Sequence, residues 1–119
     1  MNRVQYNVQY YGPNMTVEIG PEQGYIVEHD GLLYGISHEH YVTGQLKKDK
    51  GIYITEIYTG LLMNRAANNT FKLAEEEIHN IAYNPEIILN VIKDNIKRLD
   101  MDGSVNPHLI GGNQNYGRI

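Results

Sequence analysis

The residues best suited to bind a ligand lie near the C-terminal end of the sequence, where residues 111–118 read GGNQNYGR. Glycines let backbone N–H groups approach an anion, and the amides of Asn113 and Asn115 supply donors and acceptors. Tyr116 can stack on a planar ring, and Arg118 can pair with a phosphate through two hydrogen bonds. The segment lacks the Lys-Ser/Thr ending of a Walker loop. We predict a nucleotide-recognising segment, with a frayed chain end as the alternative.

A second candidate is the run His38-Glu39-His40, which lies between two glycines in GISHEHYVTG. In an extended strand, His38 and His40 point to one face and Glu39 to the other, so the two imidazoles could share a metal ion. A third ligand, such as His29 or His79, would have to come from elsewhere in the chain. Because the spacing is not that of a zinc motif, we predict a strand here and no metal site.

Catalytic motifs are missing from the sequence. The chain has no cysteine and only two serines, Ser37 and Ser104, neither of which lies in a G-x-S-x-G elbow. No pair of carboxylates stands out by its spacing, and the run from Glu75 to Glu77 is typical of a solvated helix face. We therefore predict a non-enzyme with no catalytic residue and no cofactor.

Composition limits the possible partners. A chain of 119 residues with 41% hydrophobic and 20% charged residues predicts one globular domain over residues 1–119. The net charge of −4 disfavours DNA or RNA as a partner, since phosphates call for a basic face. No apolar run is long enough to span a bilayer, and the N-terminus does not read as a signal peptide. We expect a cytoplasmic protein without a membrane partner.

The first half of the chain has the alternating pattern of β-strands. Val4, Tyr6, Val8 and Tyr10 alternate with polar residues, which predicts one buried face. Asp30-Gly31 between two β-prone runs predicts a tight hairpin. Breaks are predicted at Gly20-Pro21, at Thr43-Gly44 and over Lys48–Gly51, and a strand over Ile52–Thr59. Residues 2–60 should thus form an antiparallel meander of five or six strands.

The second half has helical periodicity. Thr70 is a suitable N-cap for a helix over residues 70–82, and Asn84-Pro85 starts a second helix over residues 85–99. Residues 61–69 are ambiguous, and residues 100–119 form a Gly/Asn-rich, irregular tail. The predicted fold class is α+β, with two helices packed on the apolar face of one sheet.

This layout resembles that of the Thoeris anti-defence proteins of phages, which have an N-terminal antiparallel sheet and two helices toward the C-terminus. The resemblance covers the whole chain as architecture. It rests on the strands from Val4 to Ile54, on the Asn84-Pro85 helix break and on the Arg118 tail. It implies a homo-oligomer that sequesters cyclic ADP-ribose-type or cyclic oligonucleotide signals in the host cell cytoplasm without cleaving them.

A ligand of this kind offers an adenine ring and a pyrophosphate, which call for aromatic side chains and arginines. The chain has only four arginines: Arg3, Arg65, Arg98 and Arg118. Of these, we expect Arg98 and Arg118 to pair with phosphates. The residues expected to stack on the base are Phe71, Tyr83 or Tyr116.

Two other functions remain open. A protein-binding inhibitor or immunity-type module fits the acidic balance and the ten tyrosines, because tyrosine is favoured at interfaces. A metal-assisted hydrolase would use His38, His40 and a carboxylate, and it would retain zinc or manganese on purification.

Overall fold

The chain forms a curled antiparallel sheet followed by helices, as seen in a computed structural model that describes residues 2–42, 44–64 and 70–119. The strands are β1 (Val4–Tyr11), β2 (Val17–His29), β3 (Leu32–Val42), β4 (Gln45–Glu56) and β5 (Leu61–Leu62). The helices are α1 (Phe71–Ile81), α2 (Pro85–Arg98) and the short α3 (Pro107–Ile110), followed by a 3₁₀ turn (Tyr116–Arg118). The strand order is β1-β2-β3-β4-β5, so each strand pairs with its neighbours in sequence. The predicted α+β class and the meander are confirmed.

The alternation in β1 and the turn after β2 follow the prediction. Tyr6 and Val8 are buried in the core, whereas Gln5 beside Tyr6 is exposed and Asn7 between them is partly buried. Asp30 and Gly31 both adopt positive φ, at 51° and 79°, which a two-residue hairpin turn of this type requires. β2 and β3 pair directly on either side of that turn.

Gly20-Pro21 does not end a strand as predicted, because β2 runs through it for 13 residues. Gly20 pairs with Val8 of β1, and Pro21 pairs with Asn7. Proline's fixed φ is compatible with an extended strand. The glycine meets a packing requirement, since a Cβ there would lie 2.6 Å from the hydroxyl of Tyr41.

The predicted break over Lys48–Gly51 is also absent, because β4 continues through these residues. The pairing instead shifts: Ser37 of β3 lies opposite Tyr53, but Glu39 lies opposite Lys48. The extra residues of β4 are absorbed in this irregularity of the ladder, which bends the strands without ending them.

The strand predicted over Ile52–Thr59 ends early, at Glu56. The Glu56 carboxylate accepts hydrogen bonds from the backbone N–H of Tyr58 at 2.6 Å and of Thr59 at 2.9 Å. These bonds fold residues 57–60 into a turn. The ambiguous segment that follows contains β5, and its later residues, including Arg65, lie outside the described residues.

The sheet curls until β1 meets the turn after β4. The backbone N–H of Gln9 donates to the carbonyl of Gly60 at 2.8 Å, and the Gln9 side chain donates to the carbonyl of Thr59 at 2.6 Å. Inside the curl, the Tyr6 ring occupies the space that a side chain at Gly35 would need, only 2.4 Å from a Cβ there. The curl therefore shields one edge of the sheet.

Both main helices begin as predicted. The hydroxyl of Thr70 accepts from the N–H of Leu73 at 3.2 Å, and the side chain of Asn84 accepts from the N–H of Glu86 at 3.0 Å. Their apolar faces join the strands in one core. The buried helix residues in that core are Ala74, Ile78, Ile88, Leu89 and Ile92. In the described part of the chain, no helix has both the length and the apolar character needed to cross a membrane.

Candidate functional site

The best-formed candidate site is a cavity of about 570 Å³ where β1, β2, β3 and β5 approach the end of α2. Its volume lies within the range of small-molecule sites, which are mostly apolar with a few placed polar groups. The residues lining it are Gln9, Tyr10, Tyr11, Gly12, Pro13, Met15, Val17, Tyr41, Leu61, Leu62 and Arg98. We call it the tyrosine cavity.

Two of its tyrosines form a stacked pair across β2. The rings of Tyr10 on β1 and Tyr41 on β3 are nearly parallel, at 8°, with centroids 4.1 Å apart. Gly20 on the intervening strand lets the rings meet, because a Cβ there would touch both of them. The hydroxyl of Tyr41 donates to the carbonyl of Pro21 at 2.7 Å. The pair therefore forms a fixed aromatic wall joining three strands.

Both phenols of this wall keep their protons at neutral pH. Burial raises the pKa of Tyr10, and the nearby carboxylate of Glu18 raises that pKa further. Burial also raises the pKa of Tyr41, with Tyr10 as the next cause. The wall is thus uncharged and suited to a planar ring.

Arg98 supplies the positive charge of the tyrosine cavity. It is the last residue of α2, where a cation is favoured by the helix dipole. Its guanidinium donates to the side-chain oxygen of the buried Asn95 at 3.0 Å. Within residues 2–42, 44–64 and 70–119, Arg98 forms no ion pair, so its charge is available to an anion. Of the residues predicted to bind a ligand, Arg98 alone lines the tyrosine cavity.

Exposed apolar side chains surround the entrance of the cavity. Met15 is 74% exposed and has a positive φ of 61° at the turn between β1 and β2. Tyr11, Val17 and Leu62, which also line the cavity, are exposed as well. Exposed apolar surface beside a cavity commonly marks a binding site.

A second, charged cleft lies at the irregularity of the β3–β4 ladder. Glu39 is buried there, with its carboxylate 3.3 Å from the guanidinium of Arg3 and accepting from the N–H of Gln23 at 3.2 Å. Glu22 is only 3% exposed, and burial raises its pKa to about 8, with a smaller contribution from Glu39. The two adjoining cavities here measure about 290 and 330 Å³. The sequence analysis did not predict this site, because no spacing pattern in the sequence indicates that Arg3 contacts Glu39.

The histidines of the HEH run do not converge. His38 hydrogen-bonds through Nδ1 to the carbonyl of Gly51 at 2.8 Å, and its ring lies 5.4 Å from that of Phe71. The ring of His40 lies 4.1 Å from that of Tyr53 instead. Among the described residues, no three histidine, aspartate or glutamate side chains are grouped so as to hold a metal ion. The hypothesis of a metal-assisted hydrolase therefore lacks a set of converging metal ligands among the described residues.

The C-terminal residues are docked onto the body of the protein. Tyr116 is 7% exposed, and its ring stacks on Tyr58 at 5.5 Å. Its hydroxyl accepts from the N–H of Leu33 at 2.8 Å and lies 3.1 Å from the carboxylate of Glu56, to which it donates. This burial gives Tyr116 a structural role in place of the predicted stacking on a ligand.

Its neighbours are also engaged with the protein. The amide of Asn115 donates to the carbonyl of Asp30, and that of Asn113 donates to the carbonyl of Ile110 at 3.3 Å. Arg118 forms an ion pair with Glu86 at the start of α2. The frayed-end alternative is thus wrong, and the segment anchors the chain.

The remaining two predicted residues lie apart from each other. Phe71 begins α1 and packs edge-on against Tyr25, on the border of the charged cleft. Tyr83 is 72% exposed between α1 and α2. The predicted ligand-binding residues therefore lie in separate places.

The stacked pair of Tyr10 and Tyr41 was not predicted, because both look like ordinary strand residues in the sequence. The abundance of tyrosine was the pair's only sequence signal.

No protein-family model, curated protein or solved structure matches this chain.

Proposed function

We propose that the chain is a non-catalytic protein that binds and sequesters a nucleotide-type signalling molecule in the tyrosine cavity. The observation that carries this proposal is the stacked pair of Tyr10 and Tyr41 in the same cavity as Arg98. The pair supplies an aromatic surface for a base, and the guanidinium supplies a bidentate partner for a phosphate. Cyclic ADP-ribose isomers and cyclic oligonucleotides combine both features.

The lining of the cavity favours binding over chemistry. Among the described residues that line it, none is a carboxylate, a histidine, a serine or a lysine. The two wall phenols stay protonated, because burial raises the pKa of each. The carboxylate of Glu18 lies beside Tyr10 but is not among the cavity-lining groups, and those groups include no general base for hydrolysis. A ligand held there would be released intact, as expected of a sequestering protein.

The resemblance to phage Thoeris anti-defence proteins supports an immune signal as the ligand, with the host cytoplasm as the site of action. The same resemblance supports a homo-oligomer. The exposed apolar side chains at the cavity entrance, such as Tyr11 and Met15, would then be covered by a second subunit.

A thermal-shift panel tests the proposal. The protein is heated with cyclic ADP-ribose isomers, cyclic dinucleotides, cyclic trinucleotides, and AMP as a matched simple nucleotide. We expect at least one cyclic compound to raise the melting temperature in a concentration-dependent manner and to be recovered intact after denaturation. A flat response to all cyclic compounds, or recovery of a cleaved product, would overturn the proposal.

A protein partner is the second candidate, and the exposed apolar rim favours it. Met15, Val17 and Ile19 lie exposed close together in sequence at the start of β2. Aromatic residues and methionine are enriched at protein interfaces. Replacing Ile19, which is exposed but does not line the tyrosine cavity, by serine distinguishes the candidates: it should weaken capture of a protein partner while leaving the melting-temperature shift of a cavity ligand in place.

A further inference from the structure

A pair of histidines joins the β2–β3 hairpin to the end of α1, well separated in sequence from the HEH run. Nε2 of His29 lies 2.8 Å from Nδ1 of His79, and the two rings are close to perpendicular, at 83°. His29 is the last residue of β2, and His79 lies in the last turn of α1. The two ring nitrogens therefore point at one another across a junction between two elements.

The remaining nitrogen of His29 faces a carboxylate. Nδ1 of His29 is buried without a hydrogen-bond partner among the described residues, and it lies 3.4 Å from Oδ2 of Asp30. A proton on Nδ1 is favoured by that carboxylate, which leaves a lone pair on Nε2 toward His79. A carboxylate behind the outer nitrogen of an imidazole is the arrangement that orients metal-binding histidines in proteins.

We propose that His29 and His79 form a two-histidine site for a divalent first-row transition metal ion. The ligands are Nε2 of His29 and Nδ1 of His79, and Asp30 orients the first of them. Since no third histidine or carboxylate joins them among the described residues, water completes the coordination. The solvent-exposed position of His79 leaves room for that water.

The spacing of the nitrogens indicates which metal fits best. Two nitrogens each about 2.1 Å from a metal are roughly 3.0 Å apart at a right angle, as in square-planar or octahedral sites, but about 3.4 Å apart in a tetrahedron. The observed 2.8 Å is closer to the right-angle value. Cu²⁺ and Ni²⁺ favour that geometry, and Cu²⁺ is also the tightest-binding ion of the series. We expect affinity to fall in the order Cu²⁺, Ni²⁺, Zn²⁺.

Metal binding requires one proton to move. In the metal-free pair, the proton that Asp30 favours on Nδ1 of His29 would make Nε2 of His29 the acceptor and Nδ1 of His79 the donor. In the bound form, the His79 proton moves to its own Nε2, which frees Nδ1 as a ligand and keeps the ring neutral. Because protons compete with the metal for both nitrogens, binding should weaken as the pH falls.

Calorimetric titration of chelator-treated full-length protein with Cu²⁺, Ni²⁺ and Zn²⁺ tests the proposal. We expect one Cu²⁺ per chain, and at least tenfold weaker binding in His79→Gln. His108→Gln removes a histidine from α3 and should leave binding unchanged. Asp30→Asn keeps a residue that tolerates the positive φ of the turn, and it should weaken binding by about 10-fold or more.

Spectroscopy keeps the test decisive if a variant is destabilised. Cu²⁺ should broaden the ring NMR signals of His29 and His79 in the wild-type protein before those of His38 and His108. Binding that survives unchanged in His79→Gln, first broadening elsewhere, or no binding of any of the three ions would overturn the proposal.

Discussion

Tyr10 and Tyr41 stack at 4.1 Å between centroids although they lie on strands that do not pair with each other. The strand between them, β2, carries Gly20 beneath the rings. The contact therefore depends on a residue without a side chain. It brings two tyrosines that are 31 residues apart in the sequence together on one wall of the tyrosine cavity. The three residues together form the aromatic wall.

Gly20→Ala should disrupt this wall. The added methyl group would lie within 3.0 Å of both rings, so Tyr41 must move and lose its bond to Pro21. We expect a loss of about 1–3 kcal/mol in the free energy of unfolding and a weaker near-ultraviolet tyrosine circular dichroism signal. Gly103→Ala is the matched control, because nothing lies within 4 Å of a Cβ there. Equal spectra for Gly20→Ala and the wild type would contradict this account.

Arg98→Gln should weaken binding of a phosphate-bearing ligand to the cavity. The substitution removes the positive charge and leaves a side chain that can still hydrogen-bond. Hydrogen bonds to charged groups contribute about 1.5–3 kcal/mol, so cyclic ADP-ribose or cyclic di-AMP should bind about 10- to 100-fold more weakly. Lys97→Gln removes an equal charge from the neighbouring position, outside the cavity lining. The same loss in both variants would indicate a general charge effect and count against Arg98 as a contact.

Local sequence signals predict the secondary structure well where short-range chemistry decides it. The Asp30-Gly31 turn, the Thr70 cap and the Asn84-Pro85 start all follow from interactions within a few residues. The predicted breaks at Gly20-Pro21 and over Lys48–Gly51 failed for the opposite reason. There, partners distant in sequence determine the conformation: the rings above Gly20 and the shifted ladder opposite Glu39.

The same limit applies to the candidate site. The position of Arg98 in the cavity lining is partly predictable, because arginine is scarce and α2 is easily placed. Tyr10 and Tyr41 look like ordinary strand residues until β1 and β3 are brought on either side of β2. For Tyr116 the sequence misleads in the opposite direction. Its neighbours in sequence suggest a ligand-recognising loop, but its hydroxyl forms hydrogen bonds with Leu33 and Glu56 in the core.

Tyr116→Phe should destabilise the protein through the anchor of the C-terminal segment. It removes the hydroxyl that accepts a hydrogen bond from the N–H of Leu33 and donates one to the carboxylate of Glu56, which is fully buried. Leaving the buried N–H of Leu33 without a partner costs about 1–3 kcal/mol, which urea unfolding can measure. Tyr83→Phe makes the same chemical change at an exposed position and should alter stability by less than about 0.5 kcal/mol. A comparable loss in both variants would refute the anchoring role.

Glu22→Gln should flatten the pH dependence of stability. Burial raises the pKa of Glu22 from 4.5 to about 8 in the folded protein, so folding favours the protonated form. The stability from this group is fully present below about pH 4.5 and is lost as the pH rises to about 8. At about 1.4 kcal/mol per unit of pKa, the wild type should lose a few kcal/mol over that window, whereas the uncharged glutamine should not. Glu76→Gln removes a solvent-exposed carboxylate from α1 and should leave the wild-type profile in place. Urea unfolding at pH 5, 6.5 and 8 measures all three proteins, and parallel profiles for Glu22→Gln and the wild type would show that Glu22 is ionised in the fold at neutral pH.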